Sequence, residues 1–149
     1  MTFTPSKYTR LLPHFDIGQA YYHLVFRLKN GFLDDEEIII VKDQIVKGND
    51  HFYRLIAVQV MGNHVHIVLQ PNTDIPISKI VRGIKGSSAR LINIRRGTSG
   101  SLWSDQYFDR IIRNATDFEN TLNYIEYNPI KTGTVDEAKN SIGWKFEQE

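Results

Sequence analysis

The apolar and polar positions of this chain change period several times, and each change marks an element. Tyr21 to Leu28 is rich in aromatic and β-branched residues and reads as a first strand. Asp34, Asp35, Glu36 and Glu37 then lead into Ile38–Val46, a pattern that predicts a helix. Its acids sit where the positive end of the helix dipole favours them, and Gly48 closes it. Phe52 to Met61 reads as a second strand. Gly62 and Asn63 tolerate positive φ, as a two-residue hairpin turn needs, so His64 to Gln70 is expected to pair antiparallel with it.

From Pro76 to about Asn93 the period is helical, with an apolar stripe of Ile77, Ile80, Val81, Ile84, Ser88 and Leu91. Gly97 to Gly100 is a loop, and Gln106 to Ile112 a fourth strand. Thr116 to Asn128 reads as a third helix, with Thr116 as its cap and Glu119 three residues later. Residues 1–18 form an irregular lead-in with Pro5, Pro13 and Gly18. Residues 134–149 form a tail that Trp144 and Phe146 pin to the body.

The order is β-α-β-β-α-β-α. Its first six elements match the ferredoxin-like split βαβ plan, an α+β fold with a four-stranded antiparallel sheet backed by helices. The third helix is then an addition at the C-terminal side. The plan hosts many functions and decides none of them. A chain of 149 residues fits a single domain spanning 1–149. At that size folding buries roughly 68–70% of the unfolded surface, so no disulfide or structural metal is required.

Composition removes several classes. There is no cysteine, which excludes zinc ribbons and thiol catalysis and suits a reducing cytoplasm. Met1 to Phe15 contains no apolar signal-peptide region, and the apolar runs are too short to span a membrane. The expected location is therefore cytoplasmic. The net charge of +1 hides an uneven distribution. Lys79, Arg82, Lys85, Arg90, Arg95 and Arg96 crowd residues 75–104, a stretch without Asp or Glu. Such a block suggests a polyanion contact, and a solvated helix face is the plain alternative.

The candidate chemistry begins at Asn63-His64-Val65-His66-Ile67-Val68-Leu69. Side chains at i and i+2 leave one face of a strand, so His64 and His66 project together. Two neutral imidazoles side by side can supply half of a divalent-metal site. Two half-buried histidines satisfied by hydrogen bonds would explain the pattern equally simply. His14, His23 and His51 lack comparable spacing and read as structural or surface residues. On the third helix the core stripe is Phe118, Leu122 and Ile125. Tyr124 and Asn128 lie one turn apart on a flank of that stripe, while Tyr127 points to solvent. Asn128 precedes Pro129 and should sit at or just past the helix end.

Three segments, MGNHVHIVL (61–69), LWSDQYFDRIIR (102–113) and YIEYNPIKTG (124–133), follow one another in an order that resembles the HUH single-tyrosine transposases. The likeness is greatest to the branch called REP-associated tyrosine transposases, and it runs from about Tyr21 to Gly133. Small departures exist: Gly62 stands where the family often has Pro, and Lys131-Thr132-Gly133-Thr134 replaces a more usual Lys-Ala-Gly-Leu.

The resemblance implies roles. His64, His66 and Asn128 would bind the metal, Mg²⁺ or Mn²⁺, and Tyr124 would be the nucleophile. A neutral ligand set suits a hard cation that keeps positions for phosphate oxygens. Attack by tyrosine preserves the energy of the phosphodiester in a 5′-phosphotyrosine, so a 3′-OH can later rejoin strands. A phenol is only about 0.1% ionised at neutral pH, and no general base stands out in the sequence.

The implied substrate is single-stranded DNA beside a hairpin or palindromic repeat, handled by a monomer or a homodimer away from any membrane. Lys79, Arg82, Lys85, Arg90, Arg95 and Arg96 would hold its phosphates, with Lys85 nearest the active face. Trp103, Tyr107 and Phe108 could stack on unpaired bases, with a place in the core as the plain alternative and the favoured one for Phe108. Two other readings stand beside this one. One is a catalytically silent, domesticated single-stranded DNA-binding protein, and the other a metal-dependent phosphodiesterase using water.

Overall fold

The computed structural model describes residues 20–128 and 141–147. Along the chain these form β1 (Tyr21–Leu28), α1 (Asp35–Lys47), β2 (Tyr53–Val60), β3 (His64–Pro71), α2 (Ile77–Arg96), β4 (Trp103–Ile112), α3 (Ala115–Glu126) and β5 (Trp144–Phe146). The strands make one antiparallel sheet in the order β4-β1-β3-β2-β5. The expected α+β plan is present, with five strands rather than four. The extra strand comes from the tail. Trp144, Lys145 and Phe146 pair with Gln59, Val58 and Ala57 on β2, and the two aromatic rings pack on the core beneath. Gly143 permits this docking: a Cβ there would collide with the Val60 carbonyl, while its own carbonyl accepts from Val60 N–H at 2.9 Å.

Each face of the sheet has its own core. Leu24, Phe26, Leu55, Val58, Val65, Ile67 and Leu69 meet α1 and α2 through Val41, Ile45, Ile80, Val81, Ile84 and Ile92. Tyr21, Ile56, Ala57, Val68 and Ile112 meet α3 through Phe118, Leu122 and Ile125. Strands buried on both faces read as continuous apolar runs, which is why β2 shows little alternation. In α2 the buried stripe takes Ile92 where Leu91 was expected, and Leu91 is half-buried.

Local chemistry sets the helix ends. At α1 a reciprocal capping box forms: Glu37 N–H donates to Asp34 at 2.9 Å and Asp34 N–H to Glu37 at 3.0 Å. α2 runs three residues beyond the expected Asn93 and stops at Gly97, whose φ of 68° is the left-handed cap that glycine adopts without strain. α3 is capped by Asn114, not Thr116; the Asn114 side chain accepts from Asp117 N–H at 2.8 Å. The turn between β2 and β3 also departs from expectation. Positive φ among the described residues occurs at Gly31, Asp50, Asp74, Gly97 and Gly100, and not at Gly62 or Asn63. The β1–α1 connection shapes that turn instead, because Leu33 and Leu28 N–H groups donate to the Gly62 and Asn63 carbonyls at 2.6 and 2.9 Å.

Arg95 and Arg96, expected on DNA, are exposed but engaged with acids at the start of α1. Arg95 bridges Asp34 at 2.8 Å and Glu36 at 2.9 Å, and Arg96 bonds both Glu37 oxygens at 2.6 and 2.9 Å. The C-terminal end of α2 is thereby tied to the N-terminal end of α1. Glu37 is nearly fully buried, so losing its partner strands a carboxylate away from water. The hydrogen bond from Arg96 holds the Glu37 carboxyl below its ordinary range. A depressed carboxylate stabilises above its unfolded pKa, about 4.3, and loses that stabilisation as pH falls through the folded value. Arg96→Ala should cost about 2 kcal/mol at neutral pH, with the partial exposure of the arginine keeping the figure moderate. Urea denaturation at pH 7 and pH 3 should show the gap between wild type and Glu37→Gln narrowing at the lower pH. A gap that widens on acidification would refute the assignment.

Candidate active site

Alternation along β3 assigns its side chains to opposite faces. Val65, Ile67 and Leu69 enter the α1/α2 core, and His64, His66 and Val68 face the α3 side. α3 covers Val68 through its apolar stripe, and the histidines lie beside that covered patch. Three further contacts position α3. Arg110 on β4 donates to both Asp117 oxygens at 2.9 Å and to Thr121 Oγ1 at 2.8 Å. One guanidinium nitrogen thus serves the carboxylate and another the hydroxyl, which fixes direction as well as proximity.

The result brings Tyr124 to the histidines. Its ring meets the His66 ring edge to face, 6.0 Å between centroids and 85° between planes. Tyr124 is 52% exposed, whereas His66 is 5% exposed. Asn128, one turn on, is buried, and its Oδ1 has no hydrogen-bond partner among the described residues. A half-open cavity of about 640 Å³ elsewhere lies between α1 and α2; the one at this site measures about 580 Å³ and is lined by His23, Arg27, His66, Gln106, Phe108 and Tyr124 among others.

Both histidines of the pair are tethered through Nδ1. His64 Nδ1 lies 2.8 Å from Asn63 Oδ1, and His66 Nδ1 lies 2.9 Å from His23 Nε2. Burial, with the nearby charges of His23, His64 and Arg27, pushes His66 down to about 3. Burial and Arg110 push His23 down to about 4. Burial and Arg27 lower His64 as well. All three rings are therefore neutral near pH 7, and neutral imidazole is the form that binds metals. No group of three or more His, Cys, Asp or Glu among the described residues is arranged to hold a metal ion. The pair offers two imidazoles, and Asn128, one turn beyond Tyr124, offers an amide oxygen. Tethered Nδ1 atoms leave Nε2 as the ligating position, and the buried amide oxygen of Asn128 is a hard donor that accepts from no group among the described residues. These residues fit a divalent cation.

Sequence reasoning missed two residues and favoured the wrong place for a third. His23 stands diagonally across from His66, because β1 pairs with β3 in the register His23↔Val68 and Val25↔His66. Arg27 is exposed and sits directly opposite His64. Phe108, favoured for the core, is 54% exposed at the cavity rim. Alternation along β1 would have found the first two once β1 was placed beside β3.

The expected DNA contacts divide. α2 packs on the face opposite the histidines, so its basic residues do not line their cavity. Lys79, Arg82 and Arg90 are exposed on it. Lys85 is not an exposed cation near the active face. Its ammonium donates to the Ser104 and Gln106 carbonyls at 2.8 and 3.2 Å and lies over the Phe26 and Tyr107 rings. Those carbonyls belong to an irregular stretch of β4, where the register slips between Phe26↔Tyr107 and Leu28↔Trp103. Trp103 is 3% exposed, donates Nε1–H to Ser88 Oγ at 2.9 Å and packs edge-on against Phe26, so it has no face to offer a base.

Comparison with known proteins agrees with this architecture. Residues 16–128 match the family described as IS200-like transposase. A Haemophilus influenzae protein named as a REP-associated tyrosine transposase is 25% identical over 101 residues, covering 60% of this chain. The aligned part spans 57% of that relative's length. The solved structure of a REP-associated tyrosine transposase bound to a REP hairpin superposes with a TM-score of 0.71 at 22% identity, over 90% of this chain and 79% of the other. A Deinococcus radiodurans structure, described as a transposase, gives 0.51 at 24% identity over 76% and 94%. These two likenesses are of fold.

The Lys85 geometry makes a prediction distinct from a phosphate contact. Lys85→Met should destabilise the chain by about 1–2 kcal/mol, since two carbonyls lose a charged donor. The salt dependence of DNA binding should stay the same. A shallower slope, by close to one phosphate contact, would return Lys85 to the DNA.

Proposed function

We propose, for a chain that belongs to the IS200-like transposase family, that it cleaves and rejoins single-stranded DNA beside hairpins through a 5′-phosphotyrosine on Tyr124. The observation that carries this reading is the edge-to-face approach of Tyr124 to His66 within one chain, beside a half-open cavity. A single-stranded hairpin flank suits the substrate, because a relative of the same fold is bound to a REP hairpin.

His64, His66 and Asn128 would hold a divalent cation such as Mg²⁺ or Mn²⁺. When bound, that cation polarises the scissile phosphodiester and offsets charge that builds on it. The chain's own residues do the rest. Arg27, exposed opposite His64, lies where it can bind a non-bridging phosphate oxygen. Tyr124 Oη attacks phosphorus in line, its bond to phosphorus forms and the bond to O3′ breaks. The phenol proton leaves to water at this half-exposed position, and the departing O3′ takes one up. Reversal by a 3′-OH restores the phosphodiester and frees the phenol. Phe108 presents a ring face on which a base flanking the cut can stack. Lys79, Arg82 and Arg90 add sequence-independent attraction from the far face of the sheet.

Tyr124→Phe should abolish the covalent protein–DNA adduct seen after denaturing electrophoresis of hairpin-flanked single strands, with binding to the uncut strand retained. A persistent adduct would move the nucleophile, most simply to Tyr127. Cleavage that continues without any adduct would favour water as nucleophile, and binding without cleavage in wild type would favour a silent binder. His64→Ala should eliminate cleavage in both Mg²⁺ and Mn²⁺. Phe108→Ala should weaken single-strand binding by roughly 1–3 kcal/mol, the worth of one stacked base, and leave thermal stability nearly unchanged.

A further inference from the structure

We infer that His23 is a positioning residue, whose Nε2 accepts the Nδ1–H of His66 and so holds His66 in the tautomer that leaves its Nε2 lone pair free for a divalent cation. The inference rests on the metal reading above and assigns the part of a residue outside the His-X-His pair.

The geometry leaves two arrangements. His23 Nε2 and His66 Nδ1 face each other at 2.9 Å, a hydrogen-bond distance that requires a single proton between them. If His23 donates, His66 carries its proton on Nε2, and that atom cannot ligate. If His66 donates, its Nε2 is a lone pair, and His23 carries its own proton on Nδ1. Only the second arrangement yields a ligand. His64 shows the same logic with another partner, since an amide oxygen only accepts and Asn63 Oδ1 is 2.8 Å from His64 Nδ1. Both rings thus have an acceptor behind Nδ1, the arrangement that fixes tautomer and raises basicity in metal-bound histidines.

Packing supports a fixed orientation. His23 is 7% exposed, its ring lies nearly parallel to that of His66 with centroids 5.2 Å apart, the spacing of two rings joined edge to edge by their hydrogen bond, and Phe108 meets it edge-on at 6.4 Å. The hydrogen bond both restricts rotation of the His66 ring and selects its proton. A phenylalanine at position 23 would fill the same buried space and remove the acceptor. A glutamine would restore an acceptor oxygen near the place of Nε2.

The test uses the full chain with His23→Phe and His23→Gln. Nitrogen-15 NMR of the metal-free wild type should show His66 protonated on Nδ1, and His23→Phe should shift it toward the Nε2–H form. Mn²⁺ affinity measured by electron paramagnetic resonance should fall about 10- to 100-fold in His23→Phe, the usual cost of losing such a partner, and recover in large part in His23→Gln. Wild-type His66 protonated on Nε2, or a His23→Phe protein that binds Mn²⁺ as tightly as wild type, would overturn the inference. Absence of Mn²⁺ binding by wild type would instead refute the metal reading, and the NMR tautomer would still decide what His23 does. Should His23→Phe fail to fold, the wild-type tautomer and the His23→Gln affinity keep the inference refutable.

Discussion

The register of β3 between β1 and β2 is the constraint on which the rest of the structure depends. A slip of one residue would exchange the faces of every side chain on the strand. His64 and His66 would enter the α1/α2 core, and Val65, Ile67 and Leu69 would face the cavity. The apolar set forbids this. Those three side chains are fully buried, and burying each contributes roughly 1.5–3 kcal/mol. The carbonyls of Gly62 and Asn63, held by Leu33 and Leu28, lock the start of the strand from outside the hairpin. Core packing on one face therefore aims the chemistry on the other.

Charge follows the same division of labour. The basic segment looks like one feature in sequence and separates into three in space. Arg95 and Arg96 neutralise the acidic start of α1, where Glu37 is buried and needs a partner. Lys85 donates to two carbonyls in the irregular stretch of β4. Lys79, Arg82 and Arg90 are exposed on α2 away from these contacts, while Arg95 and Arg96 are exposed but paired with acids. A count of basic residues overstates the cationic surface, because part of the charge is consumed in joining elements. Arg27, isolated in the sequence from that block, sits nearer the imidazoles than any of it.

Much of the architecture was legible before the structure. The bounds of β1, the start of β3 and the buried stripe Phe118, Leu122 and Ile125 follow from periodicity, which reports which face is buried. The short fifth strand did not, since three residues carry no period and their docking depends on Gly143 approaching Val60. The turn at Gly62–Asn63 was misread because a distant segment, not local propensity, decides its backbone. At the site, spacing within one strand identified His64 and His66. His23 was invisible for the opposite reason: its relation to His66 is diagonal across two strands and exists only once they pair. Trp103 and Phe108 exchanged places because an edge strand buries one face against α2 and leaves the other open, a distinction that aromatic content alone does not draw.

The placement of Tyr124 is then a question of how firmly α3 is held. Phe118, Leu122 and Ile125 are almost wholly buried, a gross contribution of roughly 5–9 kcal/mol before ordering costs. Arg110 adds a directional clamp near the helix start, at Asp117 and Thr121. Tyr124 and Asn128 lie further along the chain, the first half-exposed and the second buried. A rotation of the helix large enough to remove Tyr124 from His66 would lift the apolar stripe off Val68 and Ile112 and break the clamp together. The phenol and the imidazoles are thus coupled through a shared apolar seam, and the buried amide oxygen of Asn128 is carried by the same helix. The phenol therefore meets the imidazoles without any loop closure, and Arg27, Phe108 and Tyr124 all remain exposed to water.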